Sequence, residues 1–164
     1  MPRRTSKAPD RSAFETAVGL MARRAHSRAE LRRKLARRGY AEEEVAAAVA
    51  RLGEMRLQDD GEFAAGHVRR RAASRGPLAL SAELAARGVD RRLADEALAA
   101  LTPEFQLASA TDLAERLAAR SRPAGYQELL DRVGTKLVRR GFAPSLVRAA
   151  CQAVWQGTDE PAEA

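Results

Sequence analysis

A single cysteine, Cys151, excludes an internal disulfide and fits a reducing compartment such as the cytoplasm. Its neighbours Ala149, Ala150 and Val154 mark it as a small buried hydrophobe instead of a nucleophile. Aromatic residues make up only 4% of the 164, so stacking platforms for single-stranded nucleic acid have little to be built from. No apolar run approaches the roughly 20 residues that a membrane span needs, and no membrane association is expected. The basic start, residues 1–10, is not followed by an apolar core, so it does not read as a secretory signal. The two histidines, His26 and His67, stand far apart and without metal-ligand spacing. Gly134-Thr-Lys136 lacks the upstream glycine of a phosphate loop, and no nucleophile elbow occurs. No metal, no cofactor and no enzymatic activity are expected.

What the chain does have is alanine, leucine and valine set among arginine and glutamate. Alanine loses no side-chain entropy in a helix and straight side chains lose little, while strand-like alternation of β-branched residues is absent. The expected fold class is all-α.

Self-similarity then divides the chain. Leu31-Arg-Arg-Lys-Leu35-Ala-Arg-Arg38-Gly39-Tyr40 is echoed by Leu80-Ser-Ala-Glu-Leu84-Ala-Ala-Arg87-Gly88-Val89 and by Val133-Gly-Thr-Lys-Leu137-Val-Arg-Arg140-Gly141-Phe142. The offsets are 49 and then 53 residues. The apolar residues four apart share one helix face. A glycine after the last turn suits the left-handed conformation that ends a helix, and the next apolar residue folds back. Valine at Gly88 is therefore expected to cost about 1–2 kcal/mol. A second helix follows each glycine, with Ala41, Asp90 and Ala143 at its cap, and a further helix precedes each pair, near Phe14–Arg24, Asp60–Ala73 and Pro103–Arg120. The insertion that lengthens the second offset is expected around Ser121–Gly125. Three tandem three-helix repeat units result, at 11–58, 59–102 and 103–156, forming an elongated, curved array. A disordered basic tail, 1–10, precedes them, and a disordered acidic tail, 157–164, follows.

The formal charge is +7, and all of it lies in the first third. Residues 1–58 carry 14 Lys/Arg against 7 Asp/Glu, whereas the other two thirds balance. Such an end suits nucleic acid or an acidic protein groove. Ser27 and Glu30 form a capping box at the start of the first basic helix, and the 100° steps of that helix turn Leu31 and Leu35 inward. Arg33 and Arg37 then face away, flanked by Arg32 and Lys34, with Arg24 and Arg28 at the near end. A second cluster, Arg69-Arg70-Arg71, ends the helix before Gly76. The expected contact residues are Arg24, Arg28, Arg32, Arg33, Lys34, Arg37, Arg70 and Arg71. Arg38, Arg87 and Arg140 instead belong at their helix ends, where cations meet unsatisfied carbonyls.

Together these strings resemble the RecX family of RecA regulators. The resemblance is carried by Arg23-Arg-Ala-His-Ser27, by Glu30–Leu35 with Arg38-Gly-Tyr40, by Asp59-Asp-Gly-Glu-Phe-Ala64, and by Ser74-Arg-Gly76 with Glu83-Leu84 and Arg87-Gly-Val89. It covers Arg23–Leu101 and, more thinly, Lys136–Phe142. Ala25 departs from it, where the family often has an acid, as does Met55-Arg56, in place of a glycine-aromatic pair. The resemblance implies a cytoplasmic monomer that lodges in the groove of the RecA filament. There it would limit filament extension, ATP hydrolysis, strand exchange and LexA-type coprotease activity, and it would bind single- and double-stranded DNA weakly. The alternative is a stand-alone, sequence-blind DNA-binding helical protein. A groove-reading helix after Gly39 would carry arginine, yet that helix opens on Glu42, Glu43 and Glu44, which argues against it.

Overall fold

A computed structural model describes residues 10–159, and every regular element among them is helical. The first three helices are α1 (Ala13–Arg23), α2 (Arg28–Ala36) and α3 (Glu42–Glu54). Each begins where its sequence supplies a cap. The Ser12 hydroxyl accepts from the Glu15 amide at 3.1 Å and the Glu15 carboxylate accepts from the Ser12 amide at 2.9 Å. Ser27 and Glu30 repeat that reciprocal pair at 3.1 and 3.2 Å, which satisfies amide donors that a helix start leaves open. Ala41 has no side chain to offer, and there the Glu44 carboxylate takes the Ala41 amide at 2.9 Å.

Next come α4 (Asp60–Arg71), α5 (Pro77–Ala86) and α6 (Arg91–Leu98). Asp59 accepts from the Glu62 amide and Asp90 from the Arg92 amide, each at 2.9 Å. After α7 (Pro103–Ser121), α8 (Tyr126–Leu129) runs through a π-helical turn at Leu130–Gly134 into α9 (Thr135–Arg139), and α10 (Pro144–Asp159) follows. The tails expected at either end fall outside the described residues except for Asp10 and residues 157–159, the latter forming the last turn of α10.

The three glycines do what their spacing predicts. Gly39, Gly88 and Gly141 have φ of 90°, 75° and 89°, a region costly for any residue with a Cβ. In each case the next residue donates its amide to the repeat leucine five positions back: Tyr40 to Leu35, Val89 to Leu84, Phe142 to Leu137.

The chain forms two compact units. One comprises residues up to Ala65 together with Leu84–Ala94, and its core joins Leu20, Leu31, Leu35, Tyr40, Val49 and Leu52. The other comprises Gly66–Glu83 and residues from Asp95 onward, with Leu113, Leu129, Val133, Leu137, Phe142 and Cys151 at its centre.

Each unit contains the same junction between successive repeats. In the first, the start of α2 lies on the glycine end of α5. The Ser27 hydroxyl donates to the Arg87 carbonyl at 2.5 Å, and the Arg87 guanidinium meets Glu30 at 2.9 Å. In the second, the start of α5 lies on the glycine end of α9. There the Gly76 amide donates to the Arg140 carbonyl at 2.8 Å, the Leu78 amide to the Gly141 carbonyl at 3.2 Å, and Arg140 reaches the Ser74 carbonyl at 3.4 Å. Arg87 and Arg140 thus bridge to the neighbouring repeat instead of closing their own helix ends. Arg38 does close its own, donating to the Lys34 carbonyl at 3.2 Å.

The third repeat is lengthened both before Gly125, where α7 is longer than α4, and within the repeat helix itself. From cap to terminating glycine the repeat helix spans 13 residues in Ser27–Gly39 and Gly76–Gly88, but 17 in Gly125–Gly141. The longer helix carries the π turn, a local widening inside an otherwise continuous helix. It also brings Gly134 against Val147 and Cys151.

Candidate interaction surface

The basic face of α2 is built by its own periodicity. Leu31 and Leu35 are fully buried, so the residues between them face solvent. Arg32, Arg33 and Arg37 are exposed and Lys34 is half-buried. Arg32, Lys34 and Arg37 form no ion pair among the described residues, and Arg33 makes only a long 3.5 Å contact with the Ala86 carbonyl. Two open depressions flank this face. One, of about 630 Å³, is lined by Arg24, Glu30, Arg33, Lys34, Ala36 and Arg37. The other, of about 420 Å³, lies between α2 and α3 and is lined by Arg32, Arg33, Ala36, Tyr40, Glu42, Val45 and Ala46.

The remaining sequence-selected cations are placed differently. Arg24 donates to the Ala25 carbonyl at 2.8 Å and lies 3.4 Å from Glu30. Arg28 is held by the chain itself: its backbone amide donates to Asp60 at 2.9 Å and its Nε to the buried Gln58 side chain at 3.1 Å. Arg70 and Arg71 belong to the other compact unit. Arg70 is exposed, whereas Arg71 meets Glu83 at 3.0 Å. That one carboxylate also takes the buried His67 at 2.7 Å and Arg75 at 3.6 Å. The structure therefore gathers Arg32, Arg33, Lys34 and Arg37 with Arg24, and leaves Arg28 and Arg71 as internal ties.

Sequence reasoning missed the partners of those ties. Glu30 reads as a helix cap from its spacing, but it also receives Arg87 from a residue 57 positions away. Burial pushes its carboxyl up, yet the Ser27 amide and the Arg24 and Arg87 guanidiniums outweigh that and hold it below the ordinary glutamate range. A carboxyl depressed on folding adds stability that is complete above its unfolded pKa and is lost as pH falls through the folded one. Glu30→Gln should thus lower the melting temperature at pH 7, and the gap from wild type should narrow as the pH is taken down through the acid range. A gap that does not change with pH contradicts this origin.

Chemistry beyond binding is not favoured by the groups present. The Cys151 thiol is fully buried, and burial pushes its pKa up, so it stays protonated at neutral pH. His26 is buried, donates through Nδ1 to the Arg24 carbonyl at 2.9 Å, and has its pKa pushed down by burial. This is a turn-packing histidine. Among the described residues no cluster of His, Cys, Asp and Glu could hold a metal ion, and no helix is long and apolar enough to cross a membrane.

Comparison with known proteins matches residues 13–52 to the family model "RecX, first three-helix domain" and residues 59–98 to "RecX, second three-helix domain". Regulatory protein RecX of Xanthomonas axonopodis pv. citri (strain 306) is 39% identical over 150 residues, 91% of each chain. The protein of that name from Stenotrophomonas maltophilia (strain K279a) is 40% identical over 144 residues, 86% of each. The crystal structure of RecX from Lactobacillus salivarius superposes with a TM-score of 0.79 at 23% identity, covering 88% of this chain and 95% of that one. A second crystal structure, of regulatory protein RecX, gives a TM-score of 0.75 at 26% identity, covering 82% of this chain and 68% of that one.

Proposed function

Because this chain belongs to the RecX family of regulatory proteins, we propose that it regulates the RecA recombinase by binding its filament. In this reading it lies in the filament groove as three three-helix units, 11–58, 59–102 and 103–156. It limits filament extension, and with it ATP hydrolysis, strand exchange and coprotease activity. It acts in the cytoplasm by occupancy, without a reaction of its own. Contact with single- and double-stranded DNA is weak and electrostatic, and falls as salt rises.

One observation carries this reading: the α2 face offers Arg32, Lys34 and Arg37 with no ion pairs among the described residues, beside two open depressions of about 420 and 630 Å³. Guanidinium groups not committed within the fold are poised for carboxylate or phosphate. The stand-alone DNA-binding alternative asks α3 to enter a groove. Its first turn presents exposed Glu42, Glu43 and Glu44, which phosphates repel.

The test is RecA-dependent ATP hydrolysis on single-stranded DNA with increasing amounts of this chain. Hydrolysis should fall progressively and reach a plateau. Unchanged hydrolysis, with tight binding to bare duplex that RecA does not alter, would favour the stand-alone alternative.

A further inference from the structure

We propose that the depression between α2 and α3 is a docking groove for an acidic segment of a protein partner, one that carries an apolar side chain beside its carboxylates. This deepens the reading given above and takes RecA as the partner.

The groove is two-sided in its chemistry. Its lining combines apolar Ala36, Val45, Ala46 and Tyr40, here called its floor, with the charged Arg32, Arg33 and Glu42. The floor is held still. The Tyr40 hydroxyl is bonded to the Thr16 hydroxyl at 2.6 Å and donates to the Arg11 carbonyl at 2.7 Å, and Val45 is packed in the core. A fixed apolar floor rewards a side chain that leaves water. The two arginines fix where carboxylates must sit, since among the described residues neither is paired with an acid.

Nucleic acid fits this groove poorly. A phosphate backbone has nothing to place on the alanine and valine floor, and Glu42 faces it with like charge. A polypeptide satisfies all three parts: acid toward Arg32 and Arg33, an apolar side chain on the floor, and a neutral or basic residue toward Glu42. The other depression, of about 630 Å³, lacks such a floor, having only Ala36 among charged residues.

Ala46 permits a test that changes no charge. It is exposed on α3 and lines the groove, so Ala46→Trp plugs the space while leaving every arginine in place. A fluorescein-labelled peptide in which Glu alternates with Leu, followed by anisotropy, should bind the full-length wild-type chain at least tenfold more tightly than A46W. Ala46→Ser, which leaves the groove open, should match wild type. An all-Glu peptide of equal length should bind wild type and A46W alike, through general charge. The groove assignment is overturned if the Glu–Leu peptide binds A46W as it binds wild type, or if the all-Glu peptide is lost from A46W to the same degree. Helicity and melting measured for each variant guard against misfolding, and a loss of binding in well-folded A46S would also overturn it. The RecA reading is judged separately: the peptide should relieve inhibition of RecA ATP hydrolysis. A wild-type chain that binds the peptide but does not inhibit RecA refutes that reading and leaves the groove standing.

Discussion

Replacing Arg32, Arg33 and Arg37 together with glutamate is expected to abolish inhibition of RecA-dependent ATP hydrolysis while leaving helix content and melting temperature unchanged. Among the described residues the fold hardly uses these three side chains: Arg32 and Arg37 form no ion pair, and Arg33 has only its 3.5 Å contact. Exposed substitutions of that kind usually change stability by no more than about 0.5 kcal/mol each. Their effect on an acidic partner is far larger, because like charges brought together across an interface cost several kcal/mol. Each 1.4 kcal/mol is tenfold in affinity, so a loss of about a hundredfold or more should follow. Arg28→Glu and Arg71→Glu are the contrasting pair. They break the ties to Gln58 and Glu83 and should lower the melting temperature. Inhibition that survives the triple replacement would move the contact surface away from α2.

The second large effect concerns backbone. Gly141→Ala should cost about 2–5 kcal/mol, combining the left-handed conformation at about 1–2 kcal/mol with overpacking at about 1–3. A Cβ there would sit 2.2 Å from the Ala79 amide nitrogen and 2.4 Å from its Cβ. Gly88→Ala should cost less. Its new Cβ would meet the Ala29 Cβ at 2.4 Å, but the nearest Ala29 backbone atom is 3.9 Å away. A double-mutant cycle separates the two cases. Ala29→Gly should recover part of the Gly88→Ala loss, while Ala79→Gly should recover little of the Gly141→Ala loss, because backbone remains in the way. Equal recovery at both sites would mean that the two junctions do not differ as described. The larger loss is a substantial share of the 5–15 kcal/mol that holds a typical domain folded.

Much of this architecture is visible in the chain's local periodicities. Leucines four apart, a glycine to stop the helix and serine–glutamate caps are rules that act within one or two turns, and all three reappear in the structure. What those rules do not reach is the pairing of distant groups. Arg87 and Arg140 follow glycine-ended helices as Arg38 does, but a neighbouring repeat supplies them with partners 57 and 66 residues away. Arg28 sits on the polar side of α2 by its spacing, yet the loop before α4 brings Gln58 and Asp60 to it. The π turn within the third repeat's helix is hidden for a related reason. Serine, proline and glycine advertise a turn at Ser121–Gly125, whereas a π turn inside a helix carries no comparable compositional mark. The groove between α2 and α3 was equally hidden. Arg32 and Arg33 are legible as exposed cations, but its apolar lining depends on how Ala36, Tyr40 and Val45 come together around the turn from α2 to α3.

The ten-residue helix α5 takes part in both junctions: its start rests on the end of α9, and its own end receives the start of α2. Unwinding even a short stretch of it therefore releases bonds at a neighbour as well as its own. Local opening at α5 should carry the free energy of a much larger event, and its buried amides should be among the slowest to trade hydrogen for deuterium. A segment of modest length thereby governs how cooperatively the repeats come apart.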